Sequence, residues 1–192
     1  EVAVIAHALA VIGNKRFGKN LNGERAALMG LYHDTPETLT GDMPTPVKYY
    51  SEEVRLAYKT VEENACKSLV SMLPEDFRED YSSMFIPKNE DEELWKLVKA
   101  ADKISALIKC IEEKKAGNTE FVKAGEGIKE SVEKLDLPEA KVFVEEFLPA
   151  YEMTLDELRY NVKYRAVFVR FRRVLLFLLF QASHCSLSSH CH

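Results

Sequence analysis

Apolar residues recur at steps of three and four positions along most of the chain, which is the spacing of one face of an α-helix. The first predicted helix covers residues 2–12 and ends at Gly13, and the second begins at Asn22, a good N-cap residue. Further amphipathic helices are predicted over residues 47–73, 75–84, 89–117, 120–135 and 138–149. Since no run of alternating apolar and polar residues demands a strand, the pattern predicts an all-α fold.

One interruption of the helical pattern also contains several ionisable side chains close together in sequence. The second predicted helix leads into the segment LYHDTPETLTGD at residues 31–42. Pro36, Gly41, Pro44 and Pro46 follow in close succession and predict a loop over residues 35–46 with little backbone freedom. The sequence therefore places a histidine and several acids at the end of a helix.

The composition suits one globular domain with a sizeable core, since 46% of the 192 residues are hydrophobic and 30% are charged. The net charge of −5 is spread unevenly: residues 1–158 carry 20 basic and 31 acidic groups, whereas residues 159–192 carry six basic groups and no acid. An acidic body argues against a general nucleic-acid-binding protein.

Residues 159–192 change from basic to apolar and then to a composition rich in Ser, His and Cys. We predict that this tail is not part of the folded domain, which we place at residues 1–158. The apolar stretch over residues 174–180 is too short to span a bilayer. Attachment of residues 167–180 to a membrane surface is the alternative, whereas no membrane contact is expected for the body.

The four cysteines, Cys66, Cys110, Cys185 and Cys191, form no recognisable disulfide framework, so a reducing cytoplasm is the expected location. The chain begins inside an apolar helical pattern and without an initiator Met. We therefore expect that an N-terminal segment of the domain is missing from this sequence.

His33 and Asp34 are adjacent metal-binding groups, and Glu37 and Asp42 follow in the same segment. Asp102 falls among apolar residues of a later predicted helix and is predicted to face the core, where an unpaired carboxylate is costly. A metal held by His33, Asp34 and Asp102 would remove that cost, because imidazole and carboxylate bind Zn, Mn, Fe and Co and helical bundles hold metals between helices. The alternatives are a buried Asp bonded to a backbone N–H or a lysine, and a chance His-Asp pair.

A His-Asp pair followed at a distance by a further Asp on an all-α scaffold resembles the HD-domain superfamily of metal-dependent phosphohydrolases. More narrowly, the strings AHALAVI, YHDTPETLTGDMPTPVKYY, LVKAADKISALIKCIEE, AGNTEF and LDEL resemble the bacterial 5′-deoxynucleotidases of the YfbR type. The resemblance covers residues 2–158. It implies a single HD-domain helical bundle that hydrolyses 2′-deoxyribonucleoside 5′-monophosphates, a divalent metal cofactor (Co, Mn, Zn, Cu or Mg), a small nucleotide as substrate, and a homodimer.

The resemblance also assigns roles to individual residues. It makes His33, Asp34 and Asp102 metal ligands, and it makes Asp34 and Glu37 catalytic, with Glu37 activating or orienting the attacking water. The residues expected to hold the sugar and the phosphate are Asp42, Met43, Pro44 and Thr45.

The residues alone leave alternatives open at two of these positions and at Lys48. Glu37 is also typical of a surface acid or a helix cap, and Asp42 of a turn. Lys48 is equally typical of a phosphate contact and of a solvated lysine in the first turn of a helix.

The family has a further metal-binding His, and an Arg-Trp pair that touches phosphate and sugar, upstream of the segment with which this chain begins. The sequence therefore lacks one expected ligand, and His7, which lies among alanines, is expected to be structural rather than its replacement. Two other functions stay open: hydrolysis of a different nucleotide phosphoester, or a catalytically impaired helical regulatory or binding protein with a vestigial metal site.

Overall fold

The computed structural model describes residues 1–48, 50–86 and 88–160, and within these residues it contains helices and no strand. The helices are α1 (Val2–Phe17), α2 (Gly23–Tyr32), α3 (Glu37–Thr40), α4 (Thr45–Lys48), α5 (Glu52–Met72), α6 (Arg78–Phe85), α7 (Glu92–Lys115), α8 (Val122–Glu133), α9 (Pro138–Glu146), α10 (Pro149–Glu152) and α11 (Leu155–Tyr160). Short 3-10 helices at Glu75–Phe77 and Asn89–Asp91 precede α6 and α7. The all-α prediction is confirmed.

Helix α1 is the centre of the main core, since it packs against α2, α7 and α9. Its small and apolar residues allow burial on most sides, and Ala6, Leu9 and Ala10 are fully buried. Helix α7 lies beside α1 and also contacts α8 and α10. These helices enclose the core, which includes the buried side chains of Leu9, Met29, Leu97, Ile104, Ile108 and Val132.

Helices α3 to α6 form a second group of contacts. α5 packs against α3, α4 and α6, and α6 contacts α2. The buried residues of α5 are Tyr58, Ala65 and Cys66. Because so little of α5 is buried, its position depends on a small number of contacts.

The predicted end of the first helix at Gly13 was wrong. α1 continues to Phe17 and ends at Gly18, whose φ of 65° is the left-handed conformation that favours glycine at a helix end. Gly13 lies inside the helix, where a Cβ atom would be 2.6 Å from Leu21 Cδ1 and 2.9 Å from Glu139 Oε1. This glycine therefore allows close packing rather than ending the helix.

Two predictions in the middle of the chain were also wrong. The predicted loop over residues 35–46 contains α3 and the start of α4, because proline suits the first turn of a helix, where its missing N–H costs nothing. The predicted helix over residues 47–73 is divided, since Ser51 caps a new helix by accepting a hydrogen bond from the N–H of Val54 at 3.3 Å.

None of the helices within the described residues is long and apolar enough to cross a membrane. The predicted tail lies outside the described residues from position 161 onward, and so does the stretch over residues 167–180. Helix α11 covers Leu155–Tyr160 and contains buried Leu158, so the chain is helical across the predicted domain end at residue 158.

Arg25 ties α2 to the segment before α7. Its Nε and Nη2 donate to the two carboxylate oxygens of Asp91 at 3.1 and 2.7 Å, and Nη2 also donates to the carbonyl of Ser83 at 2.7 Å. Hydrogen bonds from Arg25 lower the pKa of the nearly buried Asp91 despite the opposing effect of burial. The backbone N–H of Arg25 donates to Asn22 Oδ1 at 2.9 Å, which confirms the predicted N-cap.

Gly30 lies where α2 meets α1, and a Cβ atom there would be 2.9 Å from Ala3 Cα and 3.1 Å from Ala3 N. Both are backbone atoms, so α1 and α2 would have to separate. We expect Gly30→Ala to lower the free energy of unfolding by about 1–3 kcal/mol. Urea denaturation followed by circular dichroism measures this change.

Gly127 is the matched control, because it lies inside α8 and a Cβ atom there meets nothing within 4 Å. Gly127→Ala should raise the free energy of unfolding by about 0.4–1 kcal/mol, since alanine favours the helix and restricts the unfolded chain. Equal effects of the two substitutions would contradict the close contact at Gly30.

Asp91→Asn should lower the free energy of unfolding by about 1.5–3 kcal/mol near neutral pH, because the charged hydrogen bonds with Arg25 are lost. Folding lowers the pKa of Asp91, so its contribution is fully present above the ordinary value of 3.8 and is lost as the pH falls through the folded value. The difference between wild type and variant should therefore shrink below about pH 4.

Urea denaturation from neutral pH to about pH 3 measures this difference. Asp136→Asn, at an exposed position outside the helices, is the control and should cost little at any pH. A stability difference for Asp91→Asn that persists undiminished in acid would argue against the ion pair.

Candidate metal centre

His33 follows Tyr32, the last residue of α2, and has helical φ and ψ angles. Its Nδ1 lies 2.9 Å from the carbonyl oxygen of Gly30, and Nδ1–H donates to that carbonyl, since a carbonyl can only accept. In the neutral ring the lone pair is then on Nε2. The last turn of α2 therefore determines which nitrogen is available to a ligand.

Two carboxylates meet that nitrogen. His33 Nε2 lies 3.0 Å from Asp34 Oδ2 and 3.6 Å from Asp102 Oδ1. Nε2 is buried and makes no hydrogen bond within the described residues, whereas the side chains of both aspartates are 57% exposed. The structure thus brings the three predicted metal ligands together, with the carboxylates on the solvent side of the imidazole.

The prediction that Asp102 faces the core was wrong. The buried stripe of α7 passes through Ala101, Ile104 and Ser105, and Asp102 lies beside this stripe on the side open to solvent. A carboxylate there keeps much of its hydration, so burial does not force it to find a cation. The packing of α7 against α2 brings Asp102 to His33.

The charges around His33 favour a cation. Burial of the ring disfavours its charged form, but the carboxylates of Asp102 and Asp34 outweigh burial and raise the pKa of His33. Burial, together with the charges of Asp102 and Asp42, raises the pKa of Asp34, although His33 acts in the opposite sense. Positive charge is therefore stabilised at this position, whether it is a proton on Nε2 or a metal ion bound to it.

Glu37 begins α3, and its backbone N–H donates to the carbonyl of Asp34 at 2.9 Å. The residue is half-buried. Burial raises the pKa of Glu37, and the negative charges of Asp34 and Asp42 raise it further, against the opposing effect of Lys48. A carboxyl group with a raised pKa is suited to exchange a proton near neutral pH.

The predicted substrate segment connects α3 to α4. It follows Gly41, whose φ of 70° favours glycine and whose carbonyl accepts a hydrogen bond from the hydroxyl of buried Tyr58 at 3.1 Å. Thr45 is the first residue of α4, and its side chain is not among those that the structure describes. The three residues between them are exposed Asp42, half-buried Met43 and exposed Pro44.

Lys48, the last residue of α4, is half-buried against α5. Its Nζ lies 2.8 Å from Glu62 Oε1 and 4.9 Å from the centroid of the Tyr58 ring. Lys48 therefore joins α4 to α5 through an ion pair and a cation–π contact. Neither sequence-based alternative for Lys48 included this role.

Sequence reasoning missed two residues that hold the site, Gly30 and Tyr58. The sequence could have revealed Gly30, because it is a small residue one turn before His33. Tyr58 could not have been found in this way, because it looks like any other apolar position of its helix. His7 lies against Gly23 at the start of α2, where a Cβ atom on Gly23 would be 3.1 Å from His7 Cδ2.

The three predicted ligands do not form a closed cage. Over residues 1–48, 50–86 and 88–160, no group of three or more His, Cys, Asp or Glu side chains is arranged so as to hold a metal ion. What the described residues provide is one buried imidazole nitrogen with two carboxylates close to it.

Comparison with known proteins places this chain in a family. The family model described as 5′-deoxynucleotidase YfbR-like matches residues 1–151. A 5′-deoxynucleotidase from Vibrio atlanticus is 48% identical over 158 residues, which cover 82% of this chain and 81% of the relative. The 5′-deoxynucleotidases from Vibrio parahaemolyticus and Shewanella oneidensis are 47% and 41% identical, again over 82% of this chain and 81% of each relative. The chain belongs to the YfbR-like 5′-deoxynucleotidase family.

Proposed function

We propose that this protein hydrolyses 2′-deoxyribonucleoside 5′-monophosphates to deoxynucleoside and phosphate, with the help of a divalent metal ion. The names of its relatives supply the reaction and the preference for the deoxy sugar. The observation that carries the proposal is the buried Nε2 of His33, which lies close to Asp34 and Asp102 and makes no hydrogen bond within the described residues.

Membership of the family implies a divalent metal ion, and His33, Asp34 and Asp102 have the donor groups to bind one, although they form no closed cage among the described residues. His33 offers Nε2 while its Nδ1–H is held by a backbone carbonyl, as is usual for metal-binding histidines. Asp34 and Asp102 would add carboxylate oxygens. A bound ion of Co, Mn, Zn, Cu or Mg would supply positive charge that polarises the phosphate and makes nearby water more acidic.

The protein's own residues would prepare water for attack on the phosphate. Burial and the negative charges of Asp34 and Asp42 raise the pKa of Glu37, which makes it a stronger base. Glu37 would take a proton from the attacking water or hold that water in line with the phosphorus. His33 would not share this task, because its Nδ1–H donates to the carbonyl of Gly30 and its Nε2 would hold the metal ion.

The segment from Asp42 through Met43 and Pro44 to Thr45 would hold the nucleotide. Asp42 is exposed and can accept a hydrogen bond from a sugar hydroxyl. The hydrogen bond from Tyr58 to Gly41 and the fixed φ of Pro44 limit the freedom of the segment before substrate arrives, so less ordering cost falls on binding.

The wild-type protein should release phosphate faster from dAMP than from AMP when one of these metal ions is supplied. Asp34→Asn and His33→Gln should each reduce release by more than roughly 100-fold, since losing an outer-shell partner alone costs about 10–100-fold. Asp136→Asn and His7→Gln change residues outside the site and should keep the wild-type rate. A colorimetric phosphate assay measures all five proteins.

Thermal unfolding measures metal binding separately from activity. A metal at about 100 times its Kd stabilises a protein by about 2.7 kcal/mol, so Mn or Co should raise the Tm of the wild type but not of His33→Gln. No phosphate release together with an unresponsive Tm would favour the vestigial-site alternative. Release from another nucleotide phosphoester, and not from dAMP, would favour a different substrate.

We further propose that the protein is a cytoplasmic homodimer. Leu56, Val61 and Met72 on α5 are 52%, 49% and 68% exposed, and burying such side chains between two copies is favourable. Sedimentation equilibrium should give about twice the chain mass of 21.9 kDa. Val61→Glu should shift the protein toward the monomer, whereas Lys123→Glu on the exposed side of α8 should not; a monomeric wild type would contradict the proposal.

A further inference from the structure

The predicted substrate segment, residues 42–45, is held on both sides by α5, a helix that carries none of the predicted site residues. Before the segment, the hydroxyl of Tyr58 donates a hydrogen bond to the carbonyl of Gly41 at 3.1 Å. After the segment, Nζ of Lys48 at the end of α4 donates to Glu62 Oε1 at 2.8 Å. Tyr58 and Glu62 of α5 are called the two anchors below.

The two anchors lie close together. Tyr58 and Glu62 are four positions apart, so they share one face of α5 and are separated by one helical turn, about 5.4 Å along the axis. Lys48 joins them, because its Nζ also lies 4.9 Å from the centroid of the Tyr58 ring. The chain from Gly41 to Lys48 therefore forms a loop whose two ends are held at one place on α5.

Both anchors are sheltered from solvent. Tyr58 is 6% exposed, and the side chains of Lys48 and Glu62 are each 31% exposed. Another pair on α5, Lys59 with Glu63, is longer at 3.8 Å, and its side chains are 67% and 56% exposed. Since water and salt screen exposed charges most, the pair that holds the loop is the stronger of the two.

The first anchor also fixes the loop relative to α3. The backbone N–H of Gly41 donates to the carbonyl of Glu37 at 2.8 Å, while the carbonyl of Gly41 accepts the hydrogen bond from Tyr58. Both backbone polar groups of this glycine are therefore used, one toward the proposed base and one toward α5. A displacement of Gly41 would move Asp42 relative to Glu37.

We propose that Tyr58 and Glu62 are positioning residues for nucleotide binding, which act through Gly41 and Lys48 to hold residues 42–45 ready for the sugar and the phosphate. This role rests on the proposed nucleotidase function and extends it to a helix outside the predicted site. Neither anchor touches the substrate. Because they reduce the ordering that binding requires, their loss should weaken nucleotide binding more than it slows the chemical step.

Direct contact of Lys48 with the phosphate is the competing role. Glu62 would then compete with the phosphate for Lys48, so removing the charge of Glu62 should strengthen phosphate binding. In the positioning role, by contrast, losing either partner breaks the same pair. The two losses should then have equal effects that do not add in the double variant.

The test uses Tyr58→Phe, Glu62→Gln, Lys48→Met and the double variant of the last two. Tyr81→Phe is the matched control for the hydroxyl, because Tyr81 is a half-buried tyrosine of α6. Glu63→Gln is the matched control for the ion pair, because Glu63 follows Glu62 on α5 and also pairs with a lysine.

Two measurements are made on the full chain. Steady-state hydrolysis of dAMP gives kcat and KM, and inorganic phosphate is used as an inhibitor. Hydrogen exchange of the nucleotide-free protein measures the opening of residues 41–48 and does not depend on catalysis.

Tyr58→Phe and Glu62→Gln should each raise the KM for dAMP by about 3- to 10-fold, which is the effect of one net hydrogen bond, while kcat stays at the wild-type value. Lys48→Met should match Glu62→Gln, and the double variant should be no worse than either. Hydrogen exchange should become faster over residues 41–48 but not over residues 30–34. Both controls should match the wild type.

Three results would overturn this role while the proposed function stands. Unchanged exchange over residues 41–48 in both Tyr58→Phe and Glu62→Gln would show that the anchors do not hold the loop. Faster exchange with an unchanged KM would separate the loop from nucleotide binding. Stronger phosphate inhibition of Glu62→Gln with weaker inhibition of Lys48→Met would assign the phosphate contact to Lys48. A wild type that releases no phosphate from dAMP would overturn the proposed function, and this role with it.

Discussion

The close contact between α1 and α2 at Gly30 determines where the candidate metal centre lies. Because Gly30 has no side chain, the α2 backbone approaches Ala3 so closely that a Cβ atom would be 2.9 Å from Ala3 Cα. The carbonyl of the same glycine accepts the hydrogen bond from His33 Nδ1–H at 2.9 Å. One residue therefore sets both the spacing of the two helices and the orientation of the imidazole, and α7, packed on both helices, brings Asp102 to Nε2.

The carboxylates of the bundle differ in the group that pairs with them. Fully buried Glu139 lies 2.7 Å from Lys19 Nζ, and nearly buried Asp91 lies 2.7 Å from Arg25 Nη2, so each has a protein cation. Among the described residues, Asp34 and Asp102 have the imidazole of His33 as their ion-pair partner instead. An imidazole is neutral unless protonated, so negative charge accumulates at this one place. A metal cation would neutralise that charge, which is why electrostatics and the family resemblance favour the same site.

The predictable part of this structure depends on local chemistry. The spacing of apolar residues predicted the helices, and Asn22 was predicted as the cap of α2. The His-Asp segment pointed to the candidate site. The errors have a different origin, because whether a glycine ends a helix or packs inside it depends on residues distant in sequence, here Leu21 and Glu139 beside Gly13. The exposure of Asp102 depends on a small rotation about the axis of α7, which periodicity does not resolve. The role of Tyr58 consists of a contact between helices, so no local pattern marks it.

The candidate site is divided between two groups of helices. His33 directly follows α2 and Asp102 belongs to α7, both helices of the main core. The predicted substrate segment is held instead to the more exposed α5, by the hydrogen bond from Tyr58 to Gly41 and by the pair of Lys48 with Glu62. A change in the contacts of α5 should therefore displace the predicted substrate segment before it displaces the predicted metal ligands.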